Sequence, residues 1–253
     1  MARGGARRLL LRPRHRPVRR AGLALCLWLA LLGAGGELRA QTVTGAEFAR
    51  PTTRYDHGVL GDAVEWGALR LSLSDGRVQM LSLPEDRVFE DLAPRLADLD
   101  GDGAPEVIVI ESSLTQGARL SVYGPGGLIA ATPYIGRSHR WLAPLGAADL
   151  DGDGRVEIAY IDRPHLAKTL RIWRFQQGRL VHVADRAGLS NHRIGWDFII
   201  GGIRDCGSGP EVIAASGDWR HILAARLRGG RITTSPIGRY DGPDSLTAPL
   251  ACR

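Results

Sequence analysis

The chain has 253 residues, 44% of them hydrophobic and 24% charged, the composition of a folded globular protein rather than a disordered, collagen-like or multi-spanning one. Its formal net charge is +6, but nine of the 33 basic residues (Arg3, Arg7, Arg8, Arg12, Arg14, Arg16, Arg19, Arg20, Arg39) fall within the first 40 positions against a single acid, Glu37. From Gln41 onward 24 basic residues face 26 acidic ones, so the body lacks the Lys and Arg surplus that a nucleic-acid partner requires.

Residues 1–40 read as a signal peptide: an Arg-rich start ending in Arg19 and Arg20, an uncharged run from Ala21 to Gly36, and a polar close with Ala40 as the cleavage point. That run is 16 residues, short of the ~20 that a bilayer-crossing helix needs, so cleaved export is favoured and no membrane span is expected afterwards. Leu25 is too bulky to precede a lipid-attachment cysteine at Cys26, and Gly22 stands where a twin-arginine signal carries an apolar residue. Secretion or a periplasmic location follows. Residues 41–54, polar and holding Pro51, Thr52 and Thr53, read as a linker, and 55–253 as the folded domain.

From Tyr55 the pattern is short β-rich runs cut by turn residues. Leu69–Leu73, Asp75-Gly76 and Arg77–Leu83 form a hairpin signal. Strands are predicted at Val107–Ser112, Arg119–Tyr123 and Leu128–Ile135, then at Val156–Ile161, Leu170–Phe175 and Leu180–Val183, and last at Glu211–Ser216, His221–Leu227 and Arg231–Ile237. No segment sustains a 3.6-residue apolar period. The fold class is all-β and antiparallel.

These runs repeat. ADLDGDGAPEVIVI (Ala97 to Ile110) returns as ADLDGDGRVEIAYI (Ala148 to Ile161), 51 residues on, and a worn copy, GIRDCGSGPEVIA (Gly202 to Ala214), places Glu211 54 residues after Glu157. A period near 50 built from four short strands is that of a propeller blade. Leu92-Ala93-Pro94 and Leu142-Ala143-Pro144 have an echo in Thr247-Ala248-Pro249. The expectation is a β-propeller of about four blades, closed by pairing of the C-terminal strand with the N-terminal blade.

In each clear copy three aspartates alternate, so one tight turn gathers them round a point. Their repulsion calls for a hard cation with oxygen ligands, and Ca²⁺ suits a flexible shell better than Mg²⁺. Two sites are expected: Asp98, Asp100, Asp102, the Ala104 carbonyl and Glu106, then Asp149, Asp151, Asp153, the Arg155 carbonyl and Glu157. An EF-hand shares the opening D-x-D-x-D-G. Its twelfth-position Glu is here Val109 or Tyr160, and β-rich runs follow where helices belong. The loops instead resemble the FG-GAP or VCBS-type repeat of integrin α-subunit propellers and secreted bacterial proteins, in which a D-x-D-x-D-G-x-x-D loop joins two strands of a blade and binds Ca²⁺. Glu106 and Glu157 replace that pattern's last Asp. The resemblance implies an adhesive or binding role.

The third copy has Ile203, Asp205 and Gly207 where the aspartates would be, too few carboxylates for a site. Cys206 and Cys252 are expected to form a disulfide pinning the closing strand. Asp56 and His57, Asp162 and His165, and Trp196 with Asp197 lack a second element at a telling spacing, and no G-x-S-x-G, H-E-x-x-H, G-x-G-x-x-G or P-loop occurs. The tryptophans Trp66, Trp141, Trp173, Trp196 and Trp219 read as blade packing. The favoured function is an exported, non-catalytic Ca²⁺-binding propeller that presents a face to a protein or glycan. The alternative is a propeller-framed hydrolase or lyase acting on an extracellular polysaccharide or phosphoester.

Overall fold

The computed structural model describes residues 41–253, so the leader and its cleavage point lie outside the described residues. Strand β1 (Val43–Thr52) pairs antiparallel with β2 (Glu65–Leu73), which turns through Asp75-Gly76 into β3 (Val78–Ser82). Gly76 has φ 83°, the left-handed turn conformation that the Asp-Gly pair predicts. The segment read as a linker is thus a strand. Thr44, Glu47 and Arg50 are exposed, while Val43 and Phe48 pack against the buried apolar residues of β2.

Three four-stranded meanders follow in the same order. The first holds β4 (Arg87–Phe89), which ties β2 to the next strands, and then β5 (Arg95–Ala97), β6 (Glu106–Ser113), β7 (Gly117–Gly124) and β8 (Gly127–Ala131). The second is β9 (Leu142–Ala148), β10 (Glu157–Asp162), β11 (Thr169–Gln176) and β12 (Arg179–Ala187). The third begins with a two-residue bridge, β13 (Leu189–Ser190), and continues through β14 (Gly202–Arg204), β15 (Glu211–Ser216), β16 (His221–Arg228) and β17 (Arg231–Arg239). Register matches the sequence repeat: Ala97 faces Glu106, Ala148 faces Glu157, and Arg204 faces Glu211.

The second strand of each meander is buried along its whole length, which explains its unbroken apolar run. Alternation sends successive side chains to opposite faces. Val107 and Val109 pack with Leu69, Leu71 and Phe89, while Ile108 and Ile110 pack with Ile158 and Tyr160 of β10. On β10, Ala159 and Ile161 turn the other way, toward Val212 and Ala214 of β15. On β15, Ile213 and Ala215 turn away again, toward Ile222, Tyr240 and Leu246. The meanders therefore stack in chain order through shared cores. Each fully buried Leu or Ile contributes about 1.5 to 3 kcal/mol.

The chain end departs from expectation. None of the three sheets is closed on itself, and residues 247–250 form no strand. A 3₁₀ turn (Pro243–Leu246) and a single helical turn, α1 (Thr247–Leu250), cover the outer face of the last meander. Leu246 is buried beside Ile213 and Tyr240, and the Arg204 guanidinium donates to the Pro249 carbonyl. Gly242-Pro243-Asp244 explains the difference, because proline at the first turn with an acidic neighbour favours helix over strand. Cys206 and Cys252 are disulfide-bonded with Cα atoms 5.6 Å apart. The bridge thus tethers this helical cap to the loop between β14 and β15.

Candidate functional site

The two acidic loops join β5 to β6 and β9 to β10, with strands on both sides. In the first, Asp98 folds back on the turn, accepting from the Gly101 N–H through Oδ1 at 2.8 Å and the Gly103 N–H through Oδ2 at 3.0 Å. In the second, Asp149 accepts from the N–H groups of Gly152, Asp153 and Gly154 at 2.8, 3.0 and 2.8 Å. The glycines at the bends, Gly103 and Gly154, have φ 85° and 84°, a conformation that L side chains resist. Between the aspartates, Leu99 and Leu150 are 2% and 4% exposed and anchor the loops in two successive cores.

The glutamates close the loops from the strand side. Glu106 Oε2 accepts from the Leu99 N–H, and Glu157 Oε2 from the Leu150 N–H, each at 2.9 Å. Asp98, Asp100 and Glu106 bring carboxylate oxygens within 4.8 Å of one another, as do Asp149, Asp151 and Glu157. Asp102 and Asp153 are not part of these groups. Asp102 accepts from the Ala104 N–H at 2.7 Å, and Asp153 from the Arg155 N–H at 3.1 Å. Three of the four expected carboxylates in each loop therefore converge.

An oxygen-only, anionic donor set fits a hard divalent cation. Burial pushes the Glu106 carboxyl upward, with Asp100 and Asp102 adding to the rise. No Lys or Arg forms an ion pair with Asp98, Asp100, Asp102 or Glu106 among the described residues. The second loop contains arginine. The Arg174 guanidinium reaches Glu157, Asp151 and Asp153 at 2.5, 2.8 and 3.1 Å, and Arg155 reaches Asp153 at 2.5 Å. Asp151 Oδ1 is nevertheless buried without a protein partner, so this loop keeps one unused acceptor. In the worn third loop Asp205 still caps the turn, accepting from the Gly207 N–H at 2.8 Å. Glu211 is held by Arg204 and Arg226 at 2.7 and 2.8 Å, which agrees with the loss of a site there.

A second cluster was not foreseen. Glu90 is wholly buried, its Oε1 lies 2.5 Å from His57 Nδ1, and the Ser112 hydroxyl donates to Oε2. Trp141 Nε1 donates to the Glu90 carbonyl at 2.8 Å. Glu65 lies nearby, its carboxyl pushed up to about 9 by burial and by the Glu90 charge. His57 opens on a small pocket with His139, Arg140, Trp141, Arg163 and His165. His165 Nε2 lies 2.8 Å from Nδ1 of the buried His192, and burial lowers the pKa of His165 to about 4. These residues come from segments 27 to 84 positions apart in the paired contacts, so no local spacing marks them. Asp162 does not join His165; it forms ion pairs with Arg163 and Arg171. Asp56 pairs with His139 rather than His57.

All five tryptophans pack against cores: Trp66, Trp141 and Trp173 in the first part of the stack, and Trp196 and Trp219 against the last core, where Trp196 stacks on Phe198 at 4.6 Å and meets Trp219 edge-on at 5.5 Å beside Tyr240.

Residues 98–160 match the family model of the FG-GAP-like repeat. The matched span runs from the first acidic loop through the second and into β10, so this part of the chain is similar to an FG-GAP-like repeat. No curated protein sequence matches the chain.

Proposed function

We propose that this FG-GAP-type repeat protein is an exported, calcium-binding, β-propeller-like module that presents a face to a protein or glycan and is not itself a catalyst. The calcium reading is carried by the convergence of Asp98, Asp100 and Glu106, and of Asp149, Asp151 and Glu157, within 4.8 Å. Asp102 and Asp153, with the Ala104 and Arg155 carbonyls, would supply further oxygens. A bound ion would supply counter-charge and hold the turn between two strands. Export is supported by the leader at residues 1–40 and by a disulfide, a bond that persists in oxidising compartments. Among the described residues no helix is long and apolar enough to cross a membrane.

A ligand that binds only the folded state adds about 2.7 kcal/mol at a hundredfold excess over Kd, which is roughly 5 to 11 °C in Tm for a domain of this size. Extracellular modules bind Ca²⁺ at about 0.1 to 1 mM, so 10 mM CaCl₂ against EGTA is the comparison, with MgCl₂ as control. The wild type should gain stability with Ca²⁺, and a variant carrying Asp98→Asn, Asp100→Asn, Asp149→Asn and Asp151→Asn should not. A wild type indifferent to Ca²⁺ overturns the reading.

The hydrolase or lyase reading draws support from one observation, the His57–Glu90 pair at the pocket. A buried carboxylate orienting an imidazole is the arrangement of a general base. Turnover of a polysaccharide or phosphoester that is lost in His57→Gln would favour it.

A further inference from the structure

The two acidic loops have the same carboxylates but different surroundings, and strand register shows why. Antiparallel pairing sets Glu157 opposite Arg174 on the next strand. In the preceding meander the register that pairs Val107 with Tyr123 sets Glu106 opposite Gly124. In the last meander, pairing of Val212 with Ala225 sets Glu211 opposite Arg226. A single structural position thus holds glycine, arginine and arginine in the three repeats. The residue six places after the first aspartate differs too, being Ala104 in one loop and Arg155 in the other.

We infer that Arg174 stands in for a cation in the second loop, so that Ca²⁺ occupies the Asp98–Glu106 loop at concentrations that leave the Asp149–Glu157 loop unfilled. This rests on the calcium reading proposed above and departs from two equal sites. Four carboxylates in the first loop have no cationic partner among the described residues. In the second, Arg174 is 13% exposed at its side chain and bonds three of the four carboxylates, and Arg155 neutralises part of Asp153. Formal charge falls from four negative to two negative, and calcium affinity follows ligand charge. A cation entering the second loop must also displace charge-assisted hydrogen bonds, the strong kind. The unpartnered Asp151 Oδ1 leaves that loop a weak residual capacity. The third loop completes the series: two arginines hold Glu211, and the aspartates are gone.

The test is Ca²⁺ stoichiometry and affinity of the purified protein by isothermal titration calorimetry, with the Ca²⁺-dependent Tm shift as a parallel readout. Wild type should bind one ion at least about tenfold more tightly than any second, a gap of 1.4 kcal/mol. Asp100→Asn should remove that ion and Asp151→Asn should leave it. Arg174→Gln should bring a second ion into the same affinity range, and Asp151→Asn on that background should remove it again. Because Arg174→Gln leaves Glu157 buried without its partner, Gly124→Arg provides an independent arm by placing a guanidinium opposite Glu106. A Cβ there meets only the Cδ1 end of Ile129 at 2.9 Å, and Ile129 is exposed and able to swing aside. Gly124→Arg should abolish the tight site. Two ions of equal affinity in the wild type, loss of the tighter ion in Asp151→Asn, or unchanged binding in Gly124→Arg would overturn the inference. Absence of any Ca²⁺ binding would instead overturn the calcium reading beneath it.

Discussion

Removing the Cys206–Cys252 bridge tests whether the helical cap unfolds together with the sheets it covers. The cysteines are 46 positions apart, and closing a loop of about that length in the unfolded chain corresponds to a stabilisation of roughly 4 kcal/mol in the chain-entropy account. The folded contacts of the cap do not depend on the bridge: Leu246 stays 2% exposed in the last core, and Arg204 still donates to the Pro249 carbonyl. The loss should therefore arise in the unfolded ensemble. For a domain of this length it amounts to roughly 8 to 16 °C in Tm. The measurement is a calorimetric melt of wild type against a Cys206→Ser, Cys252→Ser double variant, with wild type in reductant as the third arm. Both cysteines are exposed, so reductant reaches the bond without unfolding. Thiol titration of the untreated protein should find neither of these two cysteines reactive. A shift under about 2 °C would refute the reasoning, because it would mean that the cap opens on its own before the sheets and that the cross-link constrains nothing in the cooperative unit.

Two other groups give sharp expectations. Glu65, the buried first residue of β2, has a folded-state carboxyl pKa of about 9 against an ordinary 4.5. The folded state therefore binds a proton that the unfolded state releases, so this group's contribution is full below about pH 4.5 and is lost as pH rises toward 9. Glu65→Gln should flatten that decline, giving a variant more stable than wild type at pH 8 in urea melts; parallel curves from pH 5 to 9 would contradict it. Leu150→Ala empties a position that is 4% exposed between the second and third meanders, and should cost about 2 to 5 kcal/mol by chemical denaturation. A cost under 1 kcal/mol would mean that the loop is not anchored through this side chain.

Much of the fold was legible because its central strands are buried on both faces. An unbroken run such as Val107 to Ile110 has one physical solution in an antiparallel stack, with alternate residues feeding different cores. The acidic loops were legible because their carboxylates lie within nine residues of one another. β1 was not, since its exposed residues are mostly polar and only Val43, Ala46 and Phe48 mark its inner side. β4 and β13, three and two residues long, are defined by pairing alone. At the chain end, likeness of Thr247-Ala248-Pro249 to two earlier strand starts suggested a closing strand, while Gly242-Pro243-Asp244 already favoured a turn into helix. The His57–Glu90 cluster left no sequence trace, because its members meet only once the meanders stack. Arg174 could have been read against Gly124 only after register was known.

The acidic loops and the histidine cluster lie at opposite ends of the same strands. Glu106 opens β6 and Ser112, the Glu90 partner, nearly closes it. Six residue steps along the strand separate them, about 20 Å. β10 repeats the arrangement, with Glu157 at its start and Asp162, Arg163 and the His165 turn at its end. β13, leading into His192, pairs with the far end of β15. Charge repulsion among loop carboxylates arises at one edge of the stack, where arginines pair with the carboxylates of the second and third repeats. The other edge collects imidazoles, arginines and buried acids that no turn geometry requires. If this chain recognises a ligand through polar contacts, the edge bearing His57, His139 and Arg140 has the chemistry for it.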